Sequence, residues 1–361
     1  MGCLMTSRGI SAEVTSIEWE SDRPVLIQEG GHYGRITRLD DRTLIASFDW
    51  KRAVHVRHSR DEGKTWGEPV KVADWKFGTL TNAELLIMKN GELLCFFNRR
   101  PRNQNLDRKD QQPFSIAVAR SGDGGRSWSE ASTVYEAGND FENGCWEPAA
   151  LQLPEGEVQV YFANEGPYRN SGDQEITMMR SMDEGHHWER AEKISFRKGS
   201  RDGMPVPVLS KDGRNILMAI EDNGLNGTFK PVIIGSSTAN GGWREGVAEG
   251  DSRRRWSALS TPLAAAEYAG APYLRQLFDG PFVLSFQHAA NGDMKQSRMA
   301  VSLGNHEARE FSAPSFPFPF DGGKAQLWNS LFIKNERIIT AISETSQNGV
   351  YGIWAVDGVV K

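Results

Sequence analysis

The chain has 361 residues, with 42 Lys plus Arg against 47 Asp plus Glu, and a net charge of -5 argues against a protein that tracks nucleic-acid phosphates. Hydrophobic residues make up 39%, enough for a sizeable core, yet no run approaches the ~18 apolar residues of a membrane span. Cys3, Cys95 and Cys145 cannot form a disulfide framework and none has metal-ligand spacing, whereas 37 Gly and 11 Trp point to many tight turns, each covered by an aromatic ring.

Residues 1–13, MGCLMTSRGISAE, lack the apolar stretch of a signal peptide and are expected to form a flexible tail. Met1-Gly2 with Thr6 fits a myristoylation pattern, and Cys3 could be the remnant of a lipid anchor. The compartment stays open.

From residue 14 onward the chain reads as one domain, 14–361. VTSIEWES (14–21) is a short strand. Six segments then alternate apolar strand, polar turn and apolar strand. They span 35–49, 83–98, 148–164, 205–222, 272–288 and 329–343, with turn markers Asp41, Gly91, Gly156, Gly213, Gly280 and Glu336. Three of them are followed by a further strand, VHVRHS (54–59), SIAVARS (115–121) and EITMMRS (175–181). Each of these runs into a Ser-x-Asp-x-Gly-x-x-Trp turn: Asp61, Gly63 and Trp66; Asp123, Gly125 and Trp128; Asp183, Gly185 and Trp188. A degenerate fourth copy covers Ser237–Trp243. Helical periodicity is nearly absent, with TPLAAAEYAG (261–270) the one modest candidate. The pattern predicts an all-β, six-bladed β-propeller of four-stranded antiparallel blades, with residues 14–21 completing the last blade.

Chain direction in such a fold collects the starts of first strands and the ends of second strands around the axis, and sends the Asp-box turns to the opposite rim as structural elements. First-strand starts offer Arg35, Glu84, Glu147, Asp202, Tyr273, Trp328 and Asn329; second-strand ends offer Asp49, Asn98, Arg99, Arg100, Glu165, Glu221, Gln287 and Glu344. Two carboxyl groups flanking an acetal are the minimum apparatus for hydrolysing a glycosidic bond, and crowding or burial raises one of them into the range of a general acid. Glu147, between Trp146 and Pro148, and Glu221, ending the apolar run ILMAI, are the catalytic candidates. Substrate contacts are expected from Arg35, Asp49, Arg99, Glu165, Asp202, Tyr273, Gln287, Trp328 and Asn329, with a structural ion pair as the alternative for Arg35 and structural hydrogen bonding for Glu165 and Asp202. No metal and no cofactor is called for. His186-His187 lies in an outer turn, GDGG (122–125) is an Asp-box turn and no phosphate loop, SRRRW (252–256) reads as a solvated loop, and the polar loop 98–112 reads as a pocket wall.

The three Asp boxes resemble those of the sialidase superfamily of six-bladed propellers. The run Trp146-Glu147-Pro148, VYFANE (160–165), Arg201-Asp202-Gly203-Met204-Pro205, LMAIE (217–221), GAPYLRQLFDGPFVLSFQ (270–287) and Trp328-Asn329 resembles glycoside hydrolase family 93 over most of residues 30–355. That resemblance implies an exo-acting enzyme releasing a disaccharide from α-1,5-linked arabinan with retention of configuration, Glu147 serving as acid/base and Glu221 as nucleophile. The sialidase pattern is departed from: Arg35-Ile36 is followed by Thr37 in place of proline, and second and third arginines are not evident. An exo-sialidase is therefore the enzymatic alternative, and a carbohydrate-binding propeller without chemistry the non-enzymatic one. The expected partner is an oligosaccharide or polysaccharide, with no nucleic acid and no membrane span; the chain is expected to be a monomer, and the substrate class favours a secreted or periplasmic location.

Overall fold

The computed structural model describes residues 15–278, 280–320 and 324–361. The readings made on residues 1–13, including Cys3, lie outside them. Six antiparallel sheets follow one another along the chain, at residues 32–73, 78–136, 145–196, 202–257, 268–315 and 327–360, and they form a six-bladed β-propeller. Within each blade the strands lie in chain order from the axis outward, so every second strand is covered on both faces by neighbouring blades. This is why segments such as Val158–Asn164 are apolar almost throughout and completely buried. Ile45 and Val56 of blade one, for example, share a core with Leu85, Cys95 and Phe97 of blade two.

The ring closes with the N-terminal segment on the last blade: Ile17 pairs with Val360 and Trp19 with Gly358. A second segment, Val25–Glu29, pairs with the same long strand and was not legible in the sequence. Blade three carries a short parallel addition from Ala248–Glu249. The stretch 261–270 forms no helix; it is a turn that runs into the strand Tyr268–Gln276.

The Asp boxes are self-contained turns. In the first, the Ser59 hydroxyl accepts from Gly63 N at 2.9 Å, while Asp61 accepts from Thr65 N at 2.9 Å and from the Thr65 hydroxyl at 2.6 Å. His187 replaces the threonine in the third, its Nδ1 lying 2.6 Å from Asp183 Oδ2. In the degenerate fourth copy the anchoring hydroxyl belongs to Ser236, one residue earlier than the sequence reading placed it; it accepts from Trp243 N at 2.7 Å. Ser59 pairs with Leu44, at the far end of the second strand from Asp49, so the box turns lie on the rim opposite the axial residues described next.

Candidate active site

All six first strands break register at the same place. The breaks fall between His32 and Arg35, Thr81 and Glu84, Trp146 and Ala149, Gly203 and Val206, Gly270 and Tyr273, and Leu327 and Ser330. Within each break one residue has left-handed backbone: Tyr33 (φ 57), Asn82 (59), Glu147 (50), Met204 (50), Ala271 (47) and Trp328 (49). A non-glycine residue adopts this conformation at a cost of about 1 kcal/mol or more, so the surrounding structure must hold it. At four of the six the hold comes from the preceding blade, where the end of the second strand accepts the freed N–H. Asp49 Oδ2 takes Asn82 N at 2.8 Å, Asn98 Oδ1 takes Glu147 N at 2.8 Å, Glu221 Oε2 takes Ala271 N at 2.7 Å and Gln287 Oε1 takes Trp328 N at 2.6 Å. The bulges thus turn six side-chain positions onto the axis, and Glu147 occupies one of them.

Above this ring lies a cavity of about 520 Å³. Of the residues expected at the site, it is lined by Glu147, Glu221, Asp49 and Trp328, and Arg100 joins them. Burial pushes the Glu147 carboxyl up to about 8; Arg100 opposes the rise, and the negative charges of Glu221 and Glu165 add to it. Burial pushes Glu221 up to about 7 against the Ala271 N–H and the charge of Arg201. Asp49 is likewise raised to about 7 by burial. Both glutamates keep partial access to the cavity. Glu221 owes its place to two glycines. A Cβ on Gly203 would stand 3.0 Å from Glu221 Oε1 and 2.9 Å from Gln174 Nε2; one on Gly270 would stand 2.6 Å from Glu221 Oε2 and 2.3 Å from the Tyr268 hydroxyl.

Other expected contacts lie elsewhere. Arg35 is 2% exposed, stacked 3.8 Å over the Tyr33 ring and 4.8 Å over that of Tyr273, with Nε 3.4 Å from Glu84. Arg35, Glu84 and Tyr273 each follow the bulge rather than sit in it, so they form a layer beneath the cavity floor; Glu84 and Tyr273 open on a separate hollow of about 240 Å³. Arg99 points to the outer side of its blade, bonding Thr133 Oγ1 at 2.8 Å and Ala131 O at 2.9 Å, because side chains alternate along a strand and Arg100 takes the inner face. Asp202 is fully buried in an ion pair with Arg255, which also pairs with Asp222 at 2.6 Å; one arginine of the supposedly solvated SRRRW run is therefore interior. Gln287 is buried by its cap on Trp328, and Asn329 is buried. Glu165 is buried too, accepting from Trp146 Nε1 at 2.8 Å and pairing with Arg201.

The cavity also takes Tyr33, Asn82, Trp146, Gln174, Arg201 and Phe229, none of which was singled out as a site residue. Tyr33 and Asn82 follow from aligning the first strands on Glu147 and Trp328. Trp146 lay in the quoted motif. Gln174 and Phe229 precede third strands, where the sequence offered no signal. Arg100 stacks 4.9 Å over the Trp146 ring and donates to Asn82 Oδ1 at 2.8 Å. Among the described residues there is no cluster of three or more His, Cys, Asp or Glu suited to a metal ion, and no helix long and apolar enough to cross a membrane.

No curated protein sequence matches the chain. Its fold is similar to that of a family 93 α-L-arabinofuranosidase of Fusarium graminearum solved with arabinobiose, at 18% identity and a TM-score of 0.72 over 94% of this chain and 97% of that one. It is similar also to an α-L-arabinanase of Penicillium chrysogenum complexed with arabinobiose, at 19% identity, a TM-score of 0.67 and coverage of 96% and 97%. A Hadza microbial sialidase shares the fold at 14% identity and a TM-score of 0.63, over 92% of this chain and 66% of that one. Residues 46–199, which hold the three Asp boxes, match the BNR repeat-like domain, so the chain carries a BNR-repeat domain within its six-bladed propeller.

Proposed function

We propose that the protein is an exo-acting retaining glycoside hydrolase that releases a small sugar from an α-1,5-arabinan-type oligosaccharide. The observation that carries this reading is the pair Glu147 and Glu221, brought from blades three and four onto one cavity and held in unequal surroundings. Glu147, with the higher pKa, suits the acid that delivers its proton to the glycosidic oxygen as the leaving sugar departs. Glu221, held by a backbone N–H, suits the carboxylate that bonds to the anomeric carbon. Water then attacks that carbon, Glu147 takes the water's proton, and the bond to Glu221 breaks, so two inversions give retention. The likeness of fold to two structures solved with arabinobiose supports arabinan as the substrate.

One observation favours the sialidase alternative: Arg100 and Arg201 both line the cavity, and planar guanidinium groups suit a carboxylate-bearing sugar. Against it, Arg201 is already paired with Glu165, and Arg35 lies below the floor. Product analysis on linear arabinan and sialyllactose side by side tests both readings. Arabinobiose from the first and no sialic acid from the second is the expected result; sialic acid release would overturn it, and inertness on both and on a broad glycan panel would leave a binding propeller.

A further inference from the structure

Phe141 is 63% exposed, an unusual state for a phenylalanine, and it lines the mouth of the catalytic cavity. It sits on a one-turn 3-10 helix, Phe141–Asn143, with its ring centroid 4.8 Å from that of Trp146 at an interplanar angle of 46°. Phe114 meets its edge from behind at 6.1 Å and 85°. The turn is braced by the long polar loop 98–112. Asn103 Nδ2 donates to Asn139 O at 2.7 Å, and Arg108 Nη1 reaches Asp140 Oδ2 at 3.0 Å. Arg100 apart, no residue of 98–112 lines the cavity, so the loop acts through the turn it holds.

Position gives the ring a role. Trp146 precedes Glu147 in the chain, so Phe141 stands on the side of the proposed acid, whereas Phe229 and Tyr268 stand on the side of the proposed nucleophile. The acid faces the oxygen that joins the cleaved sugar to the leaving group. We infer that Phe141 is an aromatic platform for the first sugar on the leaving side of the scissile bond, held out by the loop that carries Asn103 and Arg108. The inference rests on Glu147 being the acid. An exposed ring here can cover the apolar face of a sugar while the rest of that sugar stays in water.

The test compares a linear α-1,5-arabino-oligosaccharide with arabinobiosyl fluoride, whose leaving group has no ring. Phe141→Ala should lower kcat/KM on the oligosaccharide roughly five- to tenfold, mostly through KM, the factor expected for one lost aromatic contact. Phe141→Tyr should restore it, and the fluoride should be cleaved at the wild-type rate by both variants. Asn103→Ala should reproduce part of the oligosaccharide defect. Equal losses on the two substrates, or no loss on the oligosaccharide, overturn the inference. Glu147→Gln, run beside them, separates the two levels: an acid/base should lose the oligosaccharide activity, keep fast release of fluoride in the first turnover, and then turn over slowly until azide replaces the water that it no longer activates. A Glu147→Gln enzyme fully active on the oligosaccharide would sink the acid assignment itself.

Discussion

Ala271 donates its backbone N–H to Glu221 Oε2 at 2.7 Å, and so decides which oxygen of that carboxylate remains available. Oε1, on the Gly203 side, has no hydrogen-bond partner among the described residues. The same cap recurs with Asp49, Asn98 and Gln287 in other blades, so the fold supplies the anchor, and blade four alone combines a carboxylate there with a flanking pair of glycines that leave it room. Glu221→Gln retains an acceptor for Ala271 and should fold normally while losing at least as much activity as Glu147→Gln, for which about 10²–10⁴ in rate is expected. Glu221→Ala supplied with azide should form a glycosyl azide. Nuclear magnetic resonance of the first product of the wild type should show the substrate's own anomeric configuration; inversion would remove Glu221 from the nucleophile role.

The pH dependence follows from the two raised carboxyl groups. Activity needs Glu221 ionised and Glu147 protonated, so kcat/KM should rise as pH passes about 7 and fall as it passes about 8, giving a narrow bell whose limbs belong to the coupled pair. Glu147→Gln should erase the alkaline limb from its residual rate. Stability runs in one direction only. Each group's folded pKa lies above its unfolded value near 4.3, so the folded state binds more protons between about pH 4.5 and 8, and stability falls as pH rises through that window. Asp49, also raised to about 7, adds to the slope. Thermal melts from pH 5 to 9 should show the decline, shallower in Glu147→Gln; a rise in melting temperature over that range would contradict the burial account.

Tyr268 is 7% exposed, and its hydroxyl shares with Glu221 Oε2 the space that a side chain at Gly270 would fill. Burial and the charges of Glu221 and Glu147 hold its phenol well above the usual range, so it stays a proton donor beside the carboxylate. In the resting structure Glu221 Oε2 accepts from Ala271 N, and Tyr268 makes no hydrogen bond to it. Once Glu221 is ionised the neighbouring phenol can turn to donate, and donation to the ionised form lowers a carboxyl pKa. Tyr268→Phe should therefore move the acidic limb of the pH profile upward and lower kcat several-fold, with KM and melting temperature nearly unchanged. Gly270→Ala should disturb the same two groups more severely. An unmoved acidic limb in Tyr268→Phe would reduce the residue to packing against Phe229.

The propeller was readable because its evidence is periodic: paired apolar strands and Asp-box turns return about every 60 residues, and no long-range contact is needed to see them. Glu147 and Glu221 were readable because strand direction delivers them to one end. The register of the bulges was not. Arg35, Glu84 and Tyr273 fall two residues past the left-handed positions, and that offset moves a side chain from the cavity into the layer below. Arg99 and Arg100 are told apart only by the phase of their strand, which the pairing of Thr81 with Asn98 fixes. Gln174 and Phe229 arrive on loops, whose paths no local pattern specifies.

The basic run at 252–256 separates burial from composition. Arg255 reaches inward from a short outer strand and pairs with Asp202 and Asp222, joined by the Ser195 hydroxyl, while Arg253 stays in solvent. Those two aspartates end and begin the inner strands of blade four, directly opposite each other in the ladder, so their charges would repel without the guanidinium between them. Removing one partner from a buried ion network leaves uncompensated charge and costs about 3–5 kcal/mol. Arg255→Leu should thus lower the melting temperature by many degrees, whereas Arg253→Leu should leave the melt unchanged. The triple replacement Arg255→Leu, Asp202→Asn, Asp222→Asn should recover much of the loss, since it removes the charges as well as their partner. Equal melts for the two single variants would show that the interior pairing contributes nothing to holding Gly203, and with it Glu221, in place.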